Sequence, residues 1–231
     1  MRGTFKIMIE VLHISKNYGK KSILQDITFK VSCGECVAIV GKNGCGKSTL
    51  LQIMAGIMKA DNGRICYFGK EAGNNRKIYR KFCGYVPQDN PLLEELSVKD
   101  NLKLWGYQPG RGIMNPVEMF QLQELLDTPV SDLSGGMKRR VSIASALLES
   151  PPIILLDEPT TALDIYHKQS VNEWISTYKK KNGIIIMTTH DEGEITAADR
   201  CFVMTDGKLL EITDKESRMQ QIRAYIMQEK P

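Results

Sequence analysis

The sequence contains no long apolar run. Its longest uninterrupted apolar stretches, such as residues 153–156 and 184–187, are far shorter than the roughly 18 residues that a membrane-spanning helix needs. The N-terminal stretch MRGTFKIMIE places Lys6 and Glu10 where a signal peptide requires an apolar core. We therefore expect a protein that stays in the cytoplasm and that contacts a membrane only through other proteins.

The sequence also has little excess charge of either sign. Its 31 lysine and arginine residues nearly balance its 27 aspartates and glutamates, so the formal net charge is +4. Nucleic-acid binding draws on a strong basic footprint. We therefore expect no nucleic-acid partner, and we interpret the basic run at 179–181 as a solvated helix face.

The cysteines form no complete paired motif. Cys33 and Cys36 have the spacing of half a zinc site, but no second pair of cysteines or histidines stands at a matching distance. In a cytoplasmic chain we expect free thiols, because that compartment keeps cysteines reduced. The six cysteines are Cys33, Cys36, Cys45, Cys66, Cys83 and Cys201.

The order of predicted elements indicates an α/β fold. Polar and apolar residues alternate within 7–14 and 23–31, as in a half-exposed antiparallel sheet, whereas 36–40 is apolar throughout, as in a buried parallel strand. After residue 132 helices and strands alternate, which is typical of a mostly parallel sheet covered by helices. The predicted helices are 48–55, 75–81, 136–149, 165–180, 191–198 and 214–229, and the further strands are 63–68, 83–86, 153–156, 184–188 and 201–205.

The segment 90–132 differs from the rest because it contains no strand-like run. It holds two helical patterns, at 98–105 and 117–126, separated by the proline and glycines of 109–112. We interpret this segment as a helical lobe inserted into the main domain.

A glycine-rich loop follows the buried strand at 36–40. It reads GKNGCGKS and fits the phosphate-loop pattern G-x-x-x-x-G-K-[ST] at every fixed position, between a strand and a helix as that pattern requires. The glycines let backbone N–H groups converge on phosphate oxygens, Lys47 reaches the β and γ phosphates, and Ser48 can bind Mg²⁺. We predict a nucleoside triphosphate site made by Gly41, Asn43, Gly44, Cys45, Gly46, Lys47, Ser48 and Thr49.

Other polar residues stand at the ends of predicted strands. Asp157 suits binding Mg²⁺ either directly or through a water, and Glu158, past the strand end, suits polarising a water, because hydrolysis needs a base that Mg²⁺ alone does not supply. His190 ends a strand at the carboxyl edge of the sheet, where ligands bind in such folds, and is placed to contact a γ-phosphate. Gln88 follows another short strand, and its amide suits binding Mg²⁺ or water.

Taken together, these motifs resemble the ATP-binding cassette of ABC transporters over essentially the whole chain. LSGGM at 133–137 is similar to the signature motif of that family, and the other motifs occur in the family's order. The resemblance implies a single ATP-hydrolysing domain at 1–231. A P-loop NTPase core with an N-terminal antiparallel β subdomain would occupy 1–89 and 133–231, and the helical lobe 90–132.

The resemblance also implies roles for single residues. Tyr18 would stack on adenine, Glu158 would be the catalytic carboxylate, and His190 would be the switch histidine. Gln88 would contact Mg²⁺ and sense the membrane partner. ATP and Mg²⁺ are the implied cofactors, with Ser48, Gln88 and Asp157 as the implied metal ligands.

Two kinds of partner follow from the resemblance. A second cassette would pair head to tail, so that each ATP lies between the phosphate loop of one chain and the signature turn of the other. Ser134, Gly135 and Gly136 begin a helix whose N-terminus favours a phosphate charge, and Asp164 would span the dimer interface. Integral membrane subunits would hold the cassette on the inner face of the cell membrane.

The direction of transport and the rival functions stay open. Met137 and the basic residues at 138–140 replace the glutamine common at the fifth signature position, as in small ABC-2 exporters, which favours export over import. A soluble ABC ATPase acting on DNA or ribosomes would carry a long coiled-coil insertion or a second cassette, and this sequence has neither. Glu158 and His190 argue against a kinase or a binding module without turnover.

Three leucines lead into the predicted lobe, and two interpretations of them remain. They either dock a coupling helix of the membrane subunit, as the resemblance implies, or belong to the core of the lobe. They are Leu92, Leu93 and Leu96.

Overall fold

The computed structural model describes residues 7–108, 116–161 and 163–228. The alternating and the continuously apolar segments of the sequence both form strands, as their patterns predict. In chain order the strands are β1 (Ile7–Tyr18), β2 (Lys21–Ser32), β3 (Cys36–Val40), β4 (Asn62–Tyr67), β5 (Lys70–Glu71), β6 (Cys83–Val86), β7 (Ile153–Asp157), β8 (Ile184–Thr188), β9 (Arg200–Thr205) and β10 (Lys208–Ile212).

Across the described ranges, the strands form two sheets. The smaller sheet is antiparallel and has the order β2-β1-β4-β5. The larger has the order β10-β9-β3-β8-β7-β6 and is parallel except for the β9–β10 pair. The α/β fold with a mostly parallel sheet and an N-terminal antiparallel sheet is confirmed.

The helices begin at residues that suit helix N-termini. Ser97, Ser134, Asp164 and Asp191 each precede a helix and accept a hydrogen bond from a backbone N–H of its first turn. The helices are α1 (Lys47–Met54), α2 (Arg76–Phe82), α3 (Val98–Leu104), α4 (Pro116–Met119), α5 (Gly135–Leu147), α6 (Ile165–Lys180), α7 (Glu192–Ala197) and α8 (Arg218–Gln228).

The central strands β3, β7 and β8 of the larger sheet are buried at every position. Along β3, Cys36, Ala38 and Val40 join a hydrophobic cluster that includes residues of α3, α5 and α6. Val37 and Ile39 join a second cluster that includes residues of α1 and of the antiparallel sheet. Side chains alternate across a strand, so a strand covered on both faces must be apolar at every position.

Several predicted elements differ from the structure. The helix predicted at 117–126 ends at Met119 and is followed by a short 3₁₀ turn, because Gln121 has φ 53° and breaks the helix between them. The final helix starts at Arg218 rather than 214, since Asp214 accepts hydrogen bonds from Glu216 N and the Ser217 hydroxyl and holds that stretch in a turn. β5 and β10 were not predicted from the sequence.

Two further observations concern membrane-spanning helices and the predicted lobe. Among the residues that the structure describes, no helix has both the length and the apolar character to span a membrane. The segment 109–112, predicted to separate the two helices of the lobe, lies outside the described residues.

Candidate nucleotide site

The phosphate loop joins β3 to α1, and two of its glycines are sterically required. Gly41 has φ 156°, and a Cβ there would lie 2.4 Å from the carbonyl oxygen of Met204 on β9. Gly46 has φ 110°, and its Cβ would lie 3.0 Å from the carbonyl oxygen of Ile23 on β2. Only glycine combines these angles with such close backbone approach, so the loop is held between β9 and β2.

Lys47 is the first residue of α1 and is only 6% exposed. Its Nζ donates to the carbonyl oxygens of Gly41, at 2.7 Å, and Lys42, at 3.1 Å. The ammonium is therefore kept at the loop, beside the first N–H groups of a helix whose N-cap is a glycine. A cation at a helix N-terminus is an arrangement that binds phosphate.

The other predicted nucleotide-binding residues lie in this loop, at the start of α1 and at the end of β1. Ser48 and Thr49 follow Lys47 on α1 and are half-buried. Tyr18 ends β1, is 50% exposed, and donates from its hydroxyl to Sδ of Met58 at 3.0 Å. A cleft of about 990 Å³ opens beside the loop. Asn43, Gly44, Cys45, Lys21, Ser22, Ile23 and Tyr225 are among the residues that line it.

Asp157 is the last residue of β7 and is almost fully buried. Its Oδ1 accepts a hydrogen bond of 2.5 Å from the hydroxyl of Thr188, at the end of the neighbouring β8. The hydroxyl of Tyr85 on β6 lies 3.5 Å from Oδ2. Three adjacent strands thus fix one carboxylate at the carboxyl edge of the parallel sheet, where ligands bind in open α/β folds.

Glu158 leaves the strand in an unusual backbone conformation, with φ 50°. Its N–H is held by both the carbonyl and the hydroxyl oxygen of Thr188, each at 3.1 Å. Its Oε2 accepts hydrogen bonds from Gln88 Nε2 at 3.3 Å and from the Thr161 hydroxyl at 3.1 Å. Strained residues that the surroundings over-determine cluster at active sites, and this carboxylate is turned away from the course of the strand.

His190 faces the same carboxylate. Its Nε2 lies 3.4 Å from Oε1 of Glu158. Burial and then the charge of Lys47 lower the pKa of His190 below its ordinary value, while Glu158 opposes the shift. The lowered pKa favours the neutral form of the imidazole. The structure thus brings both Gln88 and His190 into contact with Glu158.

The signature turn has a different environment. Ser134 caps α5 by accepting a hydrogen bond of 3.2 Å from the N–H of Met137, and it is exposed. A Cβ on Gly135 would meet no atom within 4 Å, and Gly136 next to it is half-buried. Asp164, which caps α6, is also exposed, and its Oδ2 lies 2.8 Å from Nδ1 of His167. The two turns are therefore accessible from outside the chain.

Some contacts in the site were not predicted. Thr161 and Thr188 fix the two carboxylates, and Arg139, discussed below, lies behind them. Thr188 had a signal in the sequence, because a polar residue follows the apolar run of β8 just where that strand reaches the sheet edge. Cys33 and Cys36, the rejected half-site, do not converge on a metal: Cys33 donates to the carbonyl of Asn182 and Cys36 is buried in the core.

Comparison with known families agrees with this geometry. The family model for ABC transporters matches residues 24–161. The Nod factor export ATP-binding protein I of Rhizobium sp. (strain N33) is 34% identical over 214 residues, which cover 89% of this chain and 70% of that protein. The protein of the same name from Sinorhizobium fredii (strain NBRC 101917 / NGR234) is 32% identical, with 90% and 63% covered.

Solved structures share the fold. A nucleotide-free ATP-binding cassette from an ABC transporter superposes with a TM-score of 0.84 at 23% identity, covering 96% of this chain and 98% of that chain. A dimeric ATP-binding cassette in a post-hydrolysis state, bound to ADP and Pi, superposes with a TM-score of 0.79 at 26% identity, covering 87% and 96%.

Proposed function

The chain belongs to the ABC transporter family as an ATP-hydrolysing cassette, and we propose that it powers export of a substrate through separate membrane subunits. One observation carries the enzymatic part: a buried strand delivers Glu158 to a point within 3.4 Å of both Gln88 and His190. The direction of transport rests on the relatives, which are named as export ATP-binding proteins.

In this proposal, Glu158 acts as the base that accepts a proton from the attacking water. Its carboxylate is already oriented by the Thr161 hydroxyl and the Gln88 amide. His190 lies beside this carboxylate and can donate a ring N–H to a phosphate oxygen. The polar contacts that hold the base in place before reaction reduce the reorganisation that reaction requires.

The donor set at the sheet edge fits Mg²⁺. Ser48 offers a hydroxyl, Gln88 an amide oxygen and Asp157 a carboxylate, and Mg²⁺ prefers such hard oxygen ligands, with substrate phosphates completing its shell. Because one oxygen of Asp157 is engaged by Thr188, we assign it a water-mediated or single-oxygen contact. When bound, the ion would neutralise charge on the β and γ phosphates.

The exposed turns are assigned to the partner cassette. Ser134, Gly135 and Gly136 would contact the γ-phosphate bound by the other chain, with the N-terminus of the 13-residue helix α5 directed at it. Asp164 would lie at the same interface. The exposed Ile165, the first residue of α6, would be covered there.

A groove between α3, α5 and β6 is assigned to the membrane subunit. It has a volume of about 490 Å³, with Leu92, Leu104 and Trp105 among its lining residues. Leu93, next to Leu92 in the chain, is 51% exposed, and its backbone is fixed by two hydrogen bonds with the buried side chain of Asn101. An exposed leucine with a fixed backbone, next to a groove lined in part by apolar residues, suits docking of a helix.

This assignment divides the three leucines. Leu92 and Leu96 are half-buried, and Leu92 packs against the main hydrophobic cluster, so it has a core contribution. Leu93 belongs to the docking surface. We further propose that residues 90–132 form the helical lobe within one domain, and that the cassette is held on the inner face of the membrane by its partner.

The direction of transport can be tested without knowing the substrate. Cells that carry the Lys47→Ala variant in place of the native chain are compared with the parent by mass spectrometry of medium and cell extract. Export predicts compounds that are missing from the variant's medium and retained in its cells. Compounds taken up from the medium by the parent alone would instead identify an importer, and no change in either fraction would contradict a role in transport.

A further inference from the structure

Arg139 lies on α5, at the centre of the contacts between the signature helix and the catalytic edge. Its side chain is buried, with 3% of the residue exposed. Nε donates to the carbonyl oxygen of Pro159 at 3.0 Å, and Nη2 donates to those of Asp157 at 2.7 Å and Glu158 at 3.0 Å. Nη1 donates to the carbonyl oxygens of Pro87 and, at 3.2 Å, Gln88.

These contacts join two segments that are distant in sequence. One segment carries Gln88 and the other carries Glu158, and the side chains of these two residues form the hydrogen bond described above. All three guanidinium nitrogens are used, and every acceptor is a backbone carbonyl. The planar fork of an arginine can reach such a spread of acceptors, whereas the single ammonium of a lysine cannot.

Burying the charged guanidinium of Arg139 costs free energy, because it removes the cation from water. Burial lowers the pKa of Arg139, and the nearby carboxylates Asp157, Glu158 and Glu194 oppose that shift. The carbonyl dipoles take the place of water around the charge, since a buried cation must be hydrogen-bonded. If the guanidinium left, five backbone carbonyl oxygens would each lose a donor, among them that of the strained residue Glu158.

We infer that Arg139 is a positioning residue for the hydrolytic site. It fixes the peptide planes of Gln88 and Glu158 relative to each other, and it ties both of them to the helix that begins at the signature turn. A displacement of α5 is thereby transmitted to the catalytic carboxylate. This inference rests on the proposed roles of Glu158 and Gln88, and it adds Arg139 as the residue that positions both of them.

The chain offers a matched control. Arg218 on α8 is also buried at 3% exposure, and it also donates to backbone carbonyls, those of Ile195, Ala198 and Asp199. These acceptors lie within α7 and directly after it, and they are not contacts of Glu158 or Gln88. Arg139→Lys and Arg218→Lys therefore remove the same chemistry from two buried sites, of which only one touches the hydrolytic residues.

The test measures the melting temperature, ATP affinity and ATPase kinetics of both variants. We expect both to lose stability to a similar degree. Arg139→Lys should lower kcat about 100-fold, the scale of a displacement near 1 Å in a catalytic group, while its affinity for ATP changes less than about threefold. Arg218→Lys should keep the kcat of the parent. Equal kcat values for the two variants would overturn the inference.

Two further variants make every outcome decisive. If Arg139→Lys does not fold, Arg139→Gln is measured in its place, and failure of both to fold would mean that the residue is structural and the inference is wrong. Glu158→Gln is run beside them. If that variant retains the parent's rate, the proposed catalytic role of Glu158 has failed. If it is inactive while Arg139→Lys matches Arg218→Lys, only the inference about Arg139 has failed.

Discussion

Two parts of this chain are proposed to act on phosphate, and they differ in how far the chain itself surrounds them. Around the carboxylate of Glu158, the side chains of Gln88, Thr161 and His190 are already in place. Around Gly135, a Cβ would meet nothing within 4 Å. Both begin from similar elements, a turn next to a helix or strand end, so the difference does not come from local structure.

The contrast defines two halves of the proposed site. The chain completes the half around Glu158 by itself, and it leaves open the half at the signature turn, Ser134, Gly135 and Gly136. Parallel strands converge at one edge of their sheet, so residues far apart in sequence meet there and can hold one another. The exposed N-terminus of α5 has no such neighbours around Gly135. The first N–H groups of a helix are suited to an anion brought by another molecule. The predictions below test each half separately and then both together.

The largest effect is expected at the completed half. Glu158→Gln should lower the ATPase rate by about 10²–10⁴-fold, because the amide keeps the size of the side chain but accepts no proton. Affinity for ATP should be retained. Phosphate release and ATP binding measure the two quantities. Glu192→Gln makes the same change at an exposed site on α7 and should keep the parent's rate.

The open half is tested by mixing two defective proteins. Lys47→Ala removes the loop ammonium, and Ser134→Arg fills the signature turn, so each homodimer carries a lesion in both of its sites and should be nearly inactive. In a mixed dimer both lesions fall in one site and the other is intact. Half of the dimers in an equal mixture are mixed, so recovery of roughly a quarter of the parent's rate is expected if one site turns over alone.

The control for this mixture is Ser131→Arg, which places the same bulky cation on a nearby exposed serine and should itself stay active. If the two sites are strictly cooperative, recovery should appear as ATP-dependent dimers on a sizing column. A mixture with neither activity nor ATP-dependent dimers would show that the signature turn does not act on the partner's nucleotide.

The sequence predicts the two halves unequally. The motif GKNGCGKS predicts phosphate binding directly from the sequence. Each of its fixed residues has a role, and the strand and helix around it are evident from their patterns. The contact of Gln88 with Glu158 spans 70 positions and depends on β6 and β7 being neighbours, which no local pattern states. Such pairings follow from the fold rather than from spacing.

Arg139 illustrates the same limit. Within a basic run on a helix it is indistinguishable from a solvated residue, yet its neighbour Lys138 pairs with Glu94 at the surface while Arg139 is buried. The break after Met119 was missed because Gln121, a residue that helices accept, adopts a left-handed conformation. β10 is not evident from the sequence because its five residues, KLLEI, do not alternate between polar and apolar.

A smaller effect is expected at the groove assigned to the membrane subunit. Leu93→Asp should leave the free energy of unfolding within about 0.5 kcal/mol of the parent, as for most exposed positions, but should reduce copurification with the membrane subunit. Leu92→Asp should cost about 1–3 kcal/mol, because it places a charge against the core cluster. Thermal unfolding and copurification from solubilised membranes give both quantities. Unchanged copurification with Leu93→Asp would exclude this surface from docking.

The smallest effect concerns the charge of His190. Its ring contacts Glu158, and its pKa responds to the charges of both Lys47 and Glu158. Burial and Lys47 lower its pKa and Glu158 raises it, so its titration, followed by NMR, should have a midpoint below the ordinary 6.5. Lys47→Ala should raise that midpoint, and Glu158→Gln should lower it further. Since the folded state binds the proton less well than the unfolded chain, the contribution of this group to stability is lost as the pH falls from 6.5 through the lowered pKa. Shifts in the opposite directions would show that the charges of Lys47 and Glu158 do not set the pKa of this histidine in solution.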